Sequence, residues 1–320
     1  MMLEIQYRET KNNGIEILRC FGSEGSIHLP DEIDQKPVVK IGDYAFSSHK
    51  RKEEEAKSIR IGEDFFKDQE QTMLCGNLVK EVFLPKYAEE IGKYAFYGCV
   101  NLEFLGFSEA LVRTGTGIFT GCKLRKVQVD RYQEKRTALR DIVMDTRFPL
   151  SVEIRDHGNG DKAVLFFPEY YEESVENTPA RIVELHFHGT GYQYRQCFIR
   201  GELDYQKYDE LFRTAVVQEE PETVWNIVLG RVGHPYQLTE DNKQHYLNYM
   251  KEHQEEILDR LLDQENLKVF RLFSEENIWT REVMERAIDR AAVKEKTEIL
   301  SFLMDERNKR FPNREKTFDL

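Results

Sequence analysis

The sequence predicts an α+β fold in three parts: a solenoid of short strands over residues 1–131, a small β-rich connecting segment over 132–203, and an all-α helical-repeat domain over 204–320. Three observations carry this. Ile41-Gly-Asp-Tyr-Ala-Phe46 returns as Ile91-Gly-Lys-Tyr-Ala-Phe96, with a weaker echo at Gly115-Thr-Gly-Ile-Phe119. This repeat stops at Asp130. From Asp204 onward apolar residues recur at the three- and four-residue spacing of amphipathic helices.

Composition narrows the function. The chain has 320 residues, 46 Lys and Arg against 58 Asp and Glu, and a net charge of −12. An acidic balance argues against nucleic acid as a partner, because phosphate binding needs concentrated cations. No apolar run approaches the roughly 20 residues of a membrane span. Met1–Arg8 has no apolar signal region, and five cysteines are too few and too odd for a disulfide framework. A cytoplasmic protein is expected.

Between the repeat anchors lie short strand-like runs. Taking Ile27, Ile59, Val82, Leu105 and Val127 as equivalent gives one long step and then three nearly equal ones. The equal steps are about 23 residues each, a period that suits a coil adding one strand per turn to a parallel ladder. The long first step is explained by His49–Lys57, a charged insertion expected to be a solvated loop. Cys75, Cys99 and Cys122 fall at one repeat position, each a period after the last. Stacked coils would bring them within disulfide or metal reach, but no CxxC pair is present, and a small thiol also fills a buried turn.

The segment Leu78-Val-Lys-Glu-Val-Phe-Leu-Pro85 followed by Ile91-Gly-Lys-Tyr-Ala-Phe-Tyr-Gly-Cys99 resembles the BspA-type (Treponema pallidum-like) leucine-rich repeat. Ile27-His-Leu-Pro30 through Pro37-Val-Val-Lys-Ile-Gly42 resembles the first coil of that family. The resemblance implies a leucine-rich-repeat solenoid that binds host or partner proteins. The order of segments also resembles a group of leucine-rich-repeat proteins of clostridial bacteria that lack an export signal.

Strand alternation turns Ile27, Ile59, Val82, Leu105 and Val127 inward and a row of His28, Arg60, Phe83, Gly106 and Gln128 outward, flanked by Ser58, Glu81, Phe104 and Lys126. Phe83 and Phe104 stand out, because a solvated sheet face has no structural need of neighbouring phenylalanines. With His28, Arg60, Glu81 and Lys126 around them they have the composition of a protein-binding hot spot. Burial under a neighbouring segment, or a register slip, would give the same pattern.

Past the repeat, Arg131–Val143 reads as a helix capping the open end of the solenoid, and Leu150–Arg155 with Ala163–Phe167 as a hairpin around a Gly-rich turn. In Arg181–His188 the alternation puts Glu184, His186 and His188 on one side. They are a candidate metal-ligand set, and equally an ordinary polar strand face; no cofactor is expected. Tyr192, Tyr194 and Arg195 would clasp an anion or acidic peptide, or simply pack. No nucleophile–base pairing or phosphate-cradling loop is legible, so the chain reads as a non-enzymatic scaffold for a protein partner, the alternative being a metal-binding or metal-dependent hydrolytic protein centred on His186 and His188.

The helical domain is expected to hold helices at Asp204–Val217, from Pro221 to Pro235, from Thr239 to about Asp263, and at Glu265–Phe273, Thr280–Val293 and Lys294–Arg307. Arg286–Asp305 resembles an ankyrin unit without the usual Thr-Pro-Leu-His start. Asn308–Leu320 is expected to be a basic tail.

Overall fold

The computed structural model describes residues 2–49, 55–62, 72–133, 136–177 and 182–312. Lys50–Glu54 of the charged insertion and most of the basic tail lie outside them. The chain divides into two compact units between Thr223 and Val224.

The first unit opens with an antiparallel hairpin, β1 (Leu3–Glu9) and β2 (Ile15–Gly22). The coils follow as β3 (Ser26–His28), β4 (Glu32–Ile33), β5 (Lys36–Ile41), β6 (Lys57–Ile61), β7 (Thr72–Met73), β8 (Glu81–Phe83), β9 (Glu90–Ile91), β10 (Phe104–Ser108), β11 (Arg113–Thr114) and β12 (Lys126–Arg131). Helix α1 (Leu139–Asp145), β13 (Leu150–Asp156) and β14 (Lys162–Phe167) come next. One sheet runs β3-β8-β10-β12-β13 in parallel and ends on antiparallel β14. The other carries β5-β9-β11 in parallel and is closed by β2, β1 and β6.

Four of the five expected rungs form one ladder: Ile27, Val82, Leu105 and Val127 are in register and fully buried. Ile27 pairs directly with Val82, so the first rung closes a loop more than twice the repeat period. Ile59 is not a rung. Its strand β6 pairs antiparallel with β1, opposite Ile5, in the other sheet. Ser58-Ile-Arg-Ile has the local alternation of a rung, but the open edge of the N-terminal hairpin takes it. Val152 supplies the further rung instead, opposite Val127.

The Ile-Gly repeat has a steric cause. The N–H groups of Gly42, Gly92 and Gly115 donate to Ile17, Ile41 and Ile91 of the preceding coil at 2.7–2.8 Å. A Cβ on Gly92 would lie 2.5 Å from the Asp43 backbone nitrogen, and one on Gly115 2.6 Å from Lys93 Cα. Only glycine lets the coils approach this closely. Beside them Phe46, Phe96 and Phe119 stack at 5.2 and 5.8 Å through the core. The predicted column of cysteines lies in the same layer. Cys99 and Cys122 donate to the carbonyls of Phe46 and Phe96 at 3.2 and 3.0 Å. Burial pushes both thiols up to about 12, and all five cysteines are free.

The capping helix exists but begins later than expected, at Leu139. It closes the turn ladder with one side chain. Phe46 and Phe96 donate their N–H to carbonyls of the following coil, and Phe119, in the last coil, donates to the Asp145 carboxylate at 3.1 Å.

The rest of this unit comprises β15 (Tyr171–Asn177) paired with β16 (Ile182–His188), α2 (Gly191–Arg195), the short pair β17 (Phe198–Ile199) and β18 (Glu202–Leu203), α3 (Tyr205–Glu210) and α4 (Phe212–Gln218). The helix expected over 204–217 is interrupted at Leu211. Arg195 is no anion clasp. It is 1% exposed, and its guanidinium donates to the carbonyls of Thr146, Phe148, Gly191 and Pro168, tying α2 to the segments beside it.

Helix α5 (Pro221–Gly233) leads into α6 (Glu240–His253), α7 (Leu258–Asp263), α8 (Leu267–Glu275), α9 (Arg281–Val293) and α10 (Thr297–Arg310). The long helix expected to reach Asp263 breaks at Gln254, a buried side chain that donates to Lys251 O at 2.9 Å. Lys309 and Arg310 belong to α10 and pair with Glu306, so they are not part of a tail. The pairs α7–α8 and α9–α10 share one turn. Glu265 and Glu295 both take positive φ (51° and 56°), and the next residues, Asn266 and Lys296, donate to Leu261 and Ala291. An ion-pair ladder locks the two pairs in register: Glu255 with Arg286, Asp259 with Arg290, Asp263 with Lys294 and Glu265 with Lys296, at 2.6–3.1 Å. Each exposed pair contributes only about 0.2–1 kcal/mol.

Two outcomes are expected. Gly115→Ala lowers the urea-unfolding free energy by about 3 kcal/mol, the scale of a core clash. Asp259→Lys destabilises by about 1 kcal/mol at low salt, and the difference from wild type shrinks at high salt, as read from thermal melts.

Candidate functional site

The outward face of the six-stranded sheet carries the sequence-predicted residues, with one exception. His28, Phe83, Gly106 and Gln128 form one cross-strand row, which continues to Glu153. Ser26, Glu81, Phe104, Lys126 and Ser151 form the next. Arg60 is the exception. It lies on β6 in the other sheet and pairs with Glu4 at 2.8 Å, and Ser58 goes with it.

The aromatic rings lie against one another. His28 stacks on Phe83 with centroids 4.0 Å apart and 9° between planes, and Phe83 meets Phe104 at 4.7 Å. The Lys126 ammonium stands 5.9 Å from the Phe104 centroid. Gly106 makes this possible. A Cβ there would lie 3.0 Å from Phe83 Cδ1 and 3.2 Å from Phe104 Cε1, so the rings lean over a glycine window. Both phenylalanines are half-buried and His28 is exposed. Glu81 accepts from Ser26 Oγ at 2.8 Å at the margin.

Beyond the aromatics the face becomes charged. Glu153 is 6% exposed and is surrounded by Arg155 at 2.6 Å, Lys162 at 3.0 Å and Lys126 at 3.5 Å. Burial alone would raise its carboxyl, but the hydrogen bonds from Arg155 and Lys162 outweigh it and hold the group at about 2. Next to it Asp130 takes Gln128 Nε2 at 3.1 Å and His157 Nε2 at 2.8 Å. The His157 ring stacks on exposed Tyr132 at 4.8 Å, and Lys86 Nζ lies 4.9 Å from the Tyr132 centroid. Sequence reasoning misses Glu153, Arg155 and Lys162, because Leu150–Arg155 reads as part of a separate hairpin. A signal is present: Ser151-Val-Glu-Ile-Arg155 alternates, and Val152 follows Val127 by close to one repeat period.

The histidine strand lies elsewhere. His186 is opposite Glu173 across β15–β16, and His188 Nε2 is 3.0 Å from Glu173 Oε2. The Glu184 side chain lies outside the described residues. Among the described residues no three His, Cys, Asp or Glu side chains converge on a metal position. No helix among them is long and apolar enough to cross a membrane.

Glu153 gives the face a pH signature. Its carboxyl ionises at about 2 in the folded chain against 4.5 as a free group. The stabilisation is therefore complete above pH 4.5 and is lost as pH falls towards 2. Wild type is expected to exceed Glu153→Gln in stability by on the order of 2 kcal/mol at pH 7, and the gap to narrow below pH 4.5 and close near pH 2 in acid-titrated urea melts.

Residues 25–137 match the family model described as BspA type leucine rich repeat region, in six copies. A leucine rich cell surface protein from Faecalibacterium prausnitzii is similar at 21% identity and a TM-score of 0.27, over 40% of this chain and 31% of that one. The chain thus spans about a third of the length of that protein. A leucine rich repeat protein from T. pallidum is similar at 21% identity and a TM-score of 0.22, over 39% of this chain and 68% of that one. No curated protein matches the chain. Residues 25–137 are thus a leucine-rich-repeat solenoid segment whose repeats match the BspA type.

Proposed function

We propose that this chain is a non-enzymatic scaffold that recruits a protein partner through the outward face of the solenoid sheet. The observation that supports this best is the His28–Phe83–Phe104 stack over Gly106. Three rings held together on a face where the strands need only polar residues are preorganised contact area, which lowers the ordering cost of binding. Glu81 and Lys126 supply a polar rim on opposite sides of Phe104, and the Glu153 cluster continues it. Leucine-rich-repeat proteins are in general protein-binding modules, and extended repeat faces suit that use. The α7–α8 and α9–α10 pairs, with their shared turn and stacked register, form an ankyrin-like array offering a second such surface. The reading places the protein in the cytoplasm, which cell fractionation tests.

The deciding experiment compares immobilised wild-type protein with Phe83→Asp, Phe104→Asp and, as a control on the other sheet, Arg60→Asp, in a lysate of the native host. A partner retained by wild type and the control is expected to lose at least about 30-fold in affinity for either phenylalanine variant, the scale of a hot-spot residue. Equal retention by all four proteins, with circular dichroism showing them folded, would sink the proposal.

A further inference from the structure

The turn side of the solenoid carries its own template for what belongs at its open end. In the second full coil, three N–H groups at alternate residues donate to the coil that follows: Tyr94 to Thr116 O at 3.1 Å, Phe96 to Ile118 O at 3.1 Å and Gly98 to Thr120 O at 2.9 Å. The repeat pattern makes Gly117, Phe119 and Gly121 the corresponding donors of the last coil. The chain answers one of them, since Phe119 donates to the Asp145 carboxylate. Gly117 and Gly121 have no acceptor among the described residues.

Gly121 borders an open cavity of about 420 Å³. Phe119, Leu124 and Phe148 supply its apolar wall, and Lys123, Asp145 and Arg147 its charges. Arg147 is shared with Glu172 at 3.1 Å, whereas exposed Lys123 has no partner among the described residues. The size falls within the roughly 300–1,000 Å³ of small-ligand pockets, and one apolar wall facing a few fixed polar groups is their usual composition.

We propose that this cavity binds a carboxylate attached to an apolar group. One oxygen takes the position at Gly121 that Thr120 O occupies at Gly98, and Lys123 pairs with the carboxylate. The chain itself sets the precedent, because Asp145 already meets the neighbouring donor with a carboxylate. Asp145 and Glu172 balance Lys123 and Arg147 in charge, so the ligand is held by directed donors and by its apolar tail more than by a positive field. The carboxylate belongs to a small organic acid or to the last residue of a peptide. The inference stands apart from the sheet face and does not depend on it.

The test uses the full chain with its 19 glycines labelled with nitrogen-15 and follows the Gly121 amide. The probes are 3-phenylpropionate, the acetylated tripeptide Gly-Leu-Phe as free acid, and the same tripeptide as C-terminal amide. A saturable Gly121 shift with 3-phenylpropionate assigns a small acid, and one with the peptide acid alone assigns a chain terminus; either supports the site. Lys123→Glu is expected to weaken the binding by about tenfold, as for loss of one charge-assisted hydrogen bond. Its exposed position leaves the remaining glycine signals in place. The proposal is overturned by no saturable Gly121 shift up to about 10 mM of either acid, by an amide that binds as well as the acid, or by an unchanged affinity in Lys123→Glu.

Discussion

Everything in the first unit depends on how closely one coil can approach the next. The backbone N–H of Gly92 and of Gly115 must reach a carbonyl one coil away, and the absent side chain sets that distance. Once it is set, the phenylalanine column, the cysteine thiols beneath it and the parallel strands on both sides fall into register. A coil buries its apolar side only against its neighbours, so cohesion is a nearest-neighbour property and each end needs a substitute neighbour. The N-terminal hairpin provides one for the sheet of β5, β9 and β11, while β13 and β14 extend the sheet of β12. Asp145 provides one for a single turn donor.

Buried arginines do comparable work where the backbone is irregular. Arg19 donates to the carbonyls of Tyr44, Ser47 and His49, and Arg195 to four carbonyls around α2. Five fixed N–H donors let one side chain gather several carbonyls at once. This is why the cluster of Tyr192, Tyr194 and Arg195 resembles a binding motif in sequence and is a packing device in the fold.

Local pattern carries much of the architecture and fails where partners are distant. The inward and outward parity of Phe83, Phe104, His28 and Lys126 follows from alternation alone, and it holds. Arg60 has the same alternation, but the partner of Ser58–Ile61 is decided by the edge of a hairpin far back in the chain. The phenylalanines are visible in the sequence as surplus; the glycine window beneath them is visible only once Gly106 is known to face Phe83. Helix positions are legible from periodicity. The break at Gln254 is not, because it rests on one buried amide bonding to its own helix.

The absence of Ile59 from the ladder has a consequence for how the chain assembles. Val82, Leu105 and Val127 close loops of a single repeat period, whereas Ile27 must wait for one more than twice as long. By loop-closure entropy the longer loop costs about 0.8 kcal/mol more. It also requires β6 to find the N-terminal hairpin rather than the ladder whose pattern it imitates. The coils behind Val82 are therefore the part able to condense first. The hairpin and the first coil then join a template that the coils behind Val82 have already formed.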